Sequence, residues 1–288
     1  MSEPKSRDNH LWLAGCGRMG TAIVTGWLKS LNNTVLTIID PELLPQKLET
    51  LVSEAETNGN RIRHIRDTDT LNHEAENPAC IFMAVKPALI SNVVSNLAPF
   101  IRRDTTLISI AAGIPLNSLE KAVNTQCPIV RAMPNTPGAI GKGITAATGN
   151  GFLNDAVKMD AIRLLEPLGE VLWIEDETHM DAVTGVSGSG PAYVFHFIEA
   201  LTEAAEAEGL PLDICDKLAR QTVYGAAALA VSDEKISAAR LRENVTSPGG
   251  TTEKGLKVLM DKDVLKLLVK NAVHAATEKS RHLGGGKN

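Results

Sequence analysis

Leu11-Trp12-Leu13-Ala14-Gly15-Cys16-Gly17-Arg18-Met19-Gly20 decides the fold. Leu11 to Ala14 are apolar in succession, and Gly15 stops the run. Apolar residues then recur at Met19, Ile23, Val24, Trp27, Leu28 and Leu31, the spacing of one helix face. A strand, a glycine turn and a helix follow one another. The turn matches G-x-G-x-x-G at the head of a βαβ unit, where glycines let the backbone approach a pyrophosphate at a helix N-terminus. Gly15, Cys16, Gly17, Arg18, Met19 and Gly20 are therefore candidate dinucleotide contacts. The bland alternative is a tight turn that binds nothing.

Outward from this loop the alternation repeats. Strands are expected at Thr34 to Ile39, Ala79 to Val85, Thr106 to Ala111, Pro128 to Met133, Ile144 to Ala147 and Glu170 to Ile174, with helical patterns such as Pro87 to Leu97 and Asn154 to Leu168 between several of them. Runs that stay apolar on successive residues, such as Ile81 to Val85, suit strands covered on both faces, so a doubly wound, mainly parallel α/β Rossmann sheet is expected. Asp40 ends the second strand, where a carboxylate would accept from the adenosine ribose of NAD and repel a 2′-phosphate. Asp40-Pro41 reads equally well as a helix start, with Asp as N-cap and Pro in the first turn. Ala84, Val85, Lys86 and Pro87 leave a buried strand at the carboxyl edge where such folds bind ligands, although Pro87 could simply open a helix. Ala112 and Gly113 close the next strand, and Gly113 would let a nicotinamide ring lie near the backbone.

After Asp176 the strand signal stops. Helices are expected at Pro191 to Glu208, Leu212 to Val231, Gly249 to Met260 and Asp263 to His282, which divides the chain into a Rossmann domain at 1–176 and an all-α domain at 177–288. Ala226 to Val231 has no polar face and must be covered, most simply by a second subunit. Thr246 to Glu253 carries the chemistry. Ser247 and Pro248 are expected to open a helix whose first turn holds Gly249 and Gly250; its bare N–H groups and the hydroxyls of Ser247, Thr251 and Thr252 form a socket for a small carboxylate. The alternative is an inter-helix loop. The Gly/Ser-rich stretch Val183 to Tyr193 is read as close helix packing, and His196, on the same helix as Tyr193, as a hydrogen-bonded core residue rather than a catalyst.

The chain has 288 residues, 43% hydrophobic and 3% aromatic, with a formal charge of -5. That charge offers no basic surface for nucleic acid or acidic lipid. Cys16, Cys80, Cys127 and Cys215 lack metal or disulfide spacing, so free thiols and a cytoplasmic location are expected, with no metal. No stretch approaches a membrane span. The Gly284-Gly285-Gly286 tail is expected to be mobile.

Taken together, these motifs resemble the pyrroline-5-carboxylate reductase family. The resemblance is carried by Gly15 to Gly20, Ala84 to Pro87, Arg131-Ala132-Met133-Pro134-Asn135-Thr136-Pro137, Ser187 to Tyr193 and Asn244 to Thr252. It implies a Rossmann domain followed by a helical dimerisation domain, an active site completed by two subunits, and dimers that often assemble into rings. It further implies reduction of L-1-pyrroline-5-carboxylate to L-proline with NADPH or NADH. By the same resemblance Ser247, Gly249, Gly250 and Thr251 hold the substrate carboxylate, and Thr252 sits beside the substrate nitrogen. Members usually prefer NADPH; Asp40 departs from the small polar residues many of them carry, so weakened discrimination is expected. Two rivals remain, a hydroxy-acid dehydrogenase of similar layout and a non-enzymatic NAD(P)H-sensing dimer.

Overall fold

The structure, a computed structural model, describes residues 10–57, 59–71 and 77–284. Beyond Gly284, the glycine tail lies outside them. Eight strands form one sheet: β1 His10–Ala14, β2 Val35–Ile39, β3 Arg61–Ile65, β4 Cys80–Met83, β5 Thr106–Ser109, β6 Ile129–Met133, β7 Gly143–Gly149 and β8 Gly169–Trp173. Their order is β3-β2-β1-β4-β5-β6-β7-β8. The first six follow the doubly wound dinucleotide-binding order, which puts the ligand crevice at the carboxyl ends of β1 and β4. Only the β6–β7 pairing is antiparallel among those described.

Both faces of the sheet are covered, which explains its unbroken apolar runs. On β4, Cys80 and Phe82 pack into one core with Leu13, Ile23 and Trp27, while Ile81 and Met83 pack into the other with Trp12, Val94 and Phe100. The first core lies under α1 Arg18–Ser30, where Trp27 meets Phe82 edge-on and its indole N–H donates to the Leu164 carbonyl at 2.8 Å. The remaining helices of this unit are α2 Gln46–Thr57, α3 Ile90–Leu97, α4 Leu116–Val123, α5 Asp155–Leu165 and α6 Met180–Val183. Seven strands fall where the sequence reading puts them. The eighth, β3, was not anticipated, because Arg61-Ile62-Arg63-His64-Ile65 is an edge strand whose charged residues mask its pattern.

Two compact units are present, one of residues 1–188 with 276–288, the other Ser189–Ala275. Strands end at Trp173, yet the compact division comes later, and the end of the last helix belongs to the sheet unit, where Ser280 donates to Asp181 at 2.6 Å. The helices are α7 Gly190–Ala207, α8 Leu212–Ser232, α9 Ala238–Asn244, α10 Thr251–Met260 and α11 Val264–Leu283. α9 was missed: seven residues give too little periodicity to read. α7 buries no residue, and on α8 only Cys215 and Ala219 are buried. Phe195, Leu229 and Val231 stand 57%, 56% and 70% exposed. An apolar surface of this extent needs a cover from outside the chain.

Candidate active site

The three loop glycines have separable reasons. Gly15 sits at φ +94°, and a Cβ there would lie 2.8 Å from the Ala84 carbonyl. At Gly20 a Cβ would come within 2.1 Å of the Gly15 carbonyl oxygen. Protein packing thus requires both. Gly17 differs: its φ is −67°, and a Cβ would meet nothing within 4 Å. Its lack of a side chain keeps a space open rather than filling one. Gly17 is also the N-cap of α1 and supplies no side-chain cap, so the helix presents its first N–H groups uncapped. A pyrophosphate fits that cradle by charge and by clearance.

The cradle opens into a cleft of about 610 Å³ whose lining includes Gly15, Gly17, Asp40, Arg66, Ala84, Val85 and Lys86. Of the other loop residues, Cys16 and Gly20 are buried, Met19 is partly buried and packs against the core under α1, and Arg18 is exposed. Cys16 is buried, its thiol 3.8 Å from the Thr21 hydroxyl, and burial raises its pKa, with the Asp40 charge adding to the effect. Pro87, Ala112 and Gly113 lie outside the cleft. Gly113 takes φ +76°, and Leu283 Cβ lies 3.2 Å from where its own Cβ would be, so both backbone and packing call for glycine there.

Asp40 does not start a helix, since α2 begins only at Gln46. Its carboxylate instead accepts from the Cys16 N–H through Oδ2 and from the Glu42 N–H through Oδ1. The side chain therefore ties the glycine loop to the end of β2. Beside it, β3 pairs in parallel register, Ile39 opposite Ile65, and brings Arg66 to the same edge. Arg66 Nε donates to the Pro41 carbonyl at 2.8 Å. Sequence reading passed over Arg66 because it passed over β3; the two isoleucines after Gly59-Asn60 were the available signal.

The second candidate set lies in the other unit, on residues 247–252. The expected helix start at Pro248 is not found. Ser247-Pro248-Gly249-Gly250 is a β-turn, closed by the Gly250 N–H donating to the Ser247 carbonyl at 3.0 Å, with Gly249 at φ +75°. Pro followed by a left-handed Gly is the type II signature, so turn chemistry overrode the capping reading. Gly250 becomes the N-cap and α10 begins at Thr251. Both glycine N–H groups are engaged, that of Gly249 by the Glu253 carboxylate. The uncapped donors are those of the first helical turn, at Thr251 and Thr252. Ser247, Thr251 and Thr252 are exposed.

The Gly/Ser-rich stretch forms a π-helical turn at Thr184–Gly188, where Gly188 faces Met133 and the Ser187 carbonyl accepts from Asn135 Nδ2 at 3.2 Å. The Arg131 to Pro137 motif thereby braces this turn. Nearby, Arg131 is buried and pairs with Glu177 at 2.8 Å. No cluster of three metal-ligating side chains occurs among the described residues.

A family model described as pyrroline-5-carboxylate reductase dimerisation matches residues 177–283, and one described as NADP oxidoreductase, coenzyme F420-dependent, matches residues 12–113. The pyrroline-5-carboxylate reductase of Escherichia coli (strain K12) is 34% identical over 280 residues, covering 96% of this chain and 98% of that one. That of Pseudomonas aeruginosa is 41% identical over 203 residues, 70% of this chain and 74% of the other. Among solved structures, a pyrroline-5-carboxylate reductase from Coxiella burnetii superposes with a TM-score of 0.84 at 32% identity, covering 96% of this chain and 98% of that one. One from Plasmodium falciparum with NADP bound gives 0.78 at 31%, covering 96% and 99%.

Proposed function

Because the chain belongs to the pyrroline-5-carboxylate reductase family, we propose that its two sites work as the two halves of one reductase, 1–176 holding the dinucleotide and 177–288 holding the substrate and the dimer contact. The reaction is the NAD(P)H-dependent reduction of L-1-pyrroline-5-carboxylate to L-proline. The likeness to characterised relatives runs through both units, and this is the observation that carries the reading; neither a hydroxy-acid dehydrogenase nor a redox sensor accounts for it.

When bound, the reduced nicotinamide supplies the hydride that the imine carbon accepts. Gly15, Gly17 and the uncapped start of α1 hold the pyrophosphate. Ser247 and Thr251 hold the substrate carboxylate, through the N–H groups that open α10 and the adjoining hydroxyls, while Gly249 and Gly250 form the turn between them and leave the approach free of side chains. As the C=N bond becomes C–N, a lone pair develops on the ring nitrogen, which needs a donor at hydrogen-bond distance. Thr252 supplies that hydroxyl. An alcohol is too weak an acid to surrender the proton itself near neutral pH, so Thr252 orients the protonated imine or a solvent proton donor.

The uncovered apolar helices and the dimerisation match support a homodimer, and we extend this to dimers assembled into a ring, which light scattering on the purified chain tests. The four free, buried thiols suit a reducing cytoplasm. Adding pyrroline-5-carboxylate to the protein with NADPH or NADH, and following loss of nicotinamide absorbance together with proline formation, tests the activity. No turnover with either nucleotide would overturn the assignment.

A further inference from the structure

We propose that Arg66, and not Asp40, decides which dinucleotide the cleft accepts, by meeting the 2′-phosphate of NADPH. This rests on reading the β1–α1 cleft as the dinucleotide site. In such folds the adenosine ribose lies at the carboxyl end of β2, where an acidic residue reads the hydroxyls of NAD or a nearby Arg receives the phosphate of NADP. Asp40 holds the first position by sequence, but each of its oxygens already accepts from a backbone N–H, at Cys16 and Glu42. Its work is to hold the glycine loop.

Arg66 holds the second position. The end of β3 is locked to the end of β2 by the Asp40 N–H on the Ile65 carbonyl at 3.0 Å, by His64 Nε2 against the Asp40 carbonyl at 2.9 Å, and by Arg66 Nε on the Pro41 carbonyl at 2.8 Å. The guanidinium is thus anchored through Nε on the wall of the cleft that holds Gly17. No ion pair occupies its terminal nitrogens among the described residues, and that free edge is the one that grips a phosphate in bidentate fashion. Asp40, Glu42 and Asp67 line the same cleft. A phosphate dianion enters this acidic rim only against a cation; Lys86, the other cation of the lining, follows β4, so Arg66 is the one at the β2 edge on which NADPH use depends.

Titration calorimetry on the full-length chain tests this with NADPH and NADH as separate ligands. Arg66→Ala should lower the ratio of NADPH to NADH affinity by roughly ten- to a hundredfold, the value of a hydrogen bond to a charged group, and Arg66→Lys should restore part of it. Asp40→Asn should weaken both nucleotides alike, through the loosened loop. An unchanged ratio in Arg66→Ala, or an Asp40→Asn variant that selectively gains NADPH, would overturn the role of Arg66 while leaving the site in place. Failure of the unaltered chain to bind either nucleotide would instead overturn the cleft reading itself. Melting curves establish that each variant is folded.

Discussion

Replacing Gly17 by alanine separates a glycine kept for a ligand from one kept for the fold. The backbone at Gly17, φ −67° and ψ −162°, is extended and open to any residue, and the added methyl meets nothing within 4 Å. Alanine is a poorer N-cap than glycine by about 1 kcal/mol, but it narrows the unfolded ensemble by about 0.4–1 kcal/mol, so the two effects largely cancel. The melting temperature should therefore move by no more than about 4 °C. Gly20→Ala is the control, because its methyl would lie 2.1 Å from the Gly15 carbonyl oxygen and something must shift. Overpacking of that kind costs roughly 1–3 kcal/mol, or about 2–12 °C for a domain of this size. Nucleotide binding should show the opposite order. The Gly17→Ala methyl stands where the pyrophosphate meets the start of α1, and losing one charge-assisted contact there should raise Kd at least tenfold. Calorimetry with NADPH and NADH, paired with thermal melts, reads both quantities. If Gly17→Ala binds nucleotide like the unaltered protein, the loop is not the pyrophosphate cradle, and the argument from its open space fails.

Thr252→Ala should lower kcat by roughly 5- to 150-fold, the equivalent of about 1–3 kcal/mol, while leaving the melting temperature unchanged because the side chain is exposed; steady-state rates with saturating nucleotide would show this, and full turnover would remove the residue from the mechanism. Glu177→Ala leaves the buried Arg131 guanidinium without its carboxylate and the Leu116 N–H without an acceptor. A loss of about 3 kcal/mol, seen as a fall of roughly 6–12 °C in melting temperature, is expected. Burial pushes the Cys127 thiol from 9.0 up to about 11, with the Glu120 charge adding to the effect. A raised thiol pKa favours the folded state fully below the unfolded value and loses that contribution as pH rises through the folded one. Alkaline melting curves should therefore flatten in this window when Cys127 is replaced by alanine, and an unchanged slope would show that the thiol does not titrate with unfolding.

Most of the sheet was legible because its strands are buried on both faces, and burial on both faces writes an unbroken apolar run. The run at Ile81 to Met83 needed no tertiary information to be recognised. β3 was illegible for the converse reason. At the edge of the sheet its arginines reach solvent, and Ile62 and Ile65 alone are too little to separate an edge strand from a polar loop. The same physics hid Arg66. At residues 247–252 the residue types were read correctly and the local geometry was not. Ser-Pro satisfies the start of a helix and the start of a type II turn equally, and the choice fell to Gly249, whose left-handed backbone only the turn can use.

Sequence by itself determined the strand–glycine–helix unit, the succession of sheet and helices, and the chemical types gathered at each candidate site, because those follow from periodicity and from the conformational range of each residue. Only the tertiary structure decided what each group is committed to. Asp40 could read a ribose or tie a loop, and the position of the Cys16 N–H made it a tie. Gly17 could serve packing or a ligand, and the open space beside it removes the packing reason and leaves room for a ligand. Such outcomes depend on atoms brought together from distant parts of the chain, and a hydrogen bond or a clearance exists only once both sides are in place.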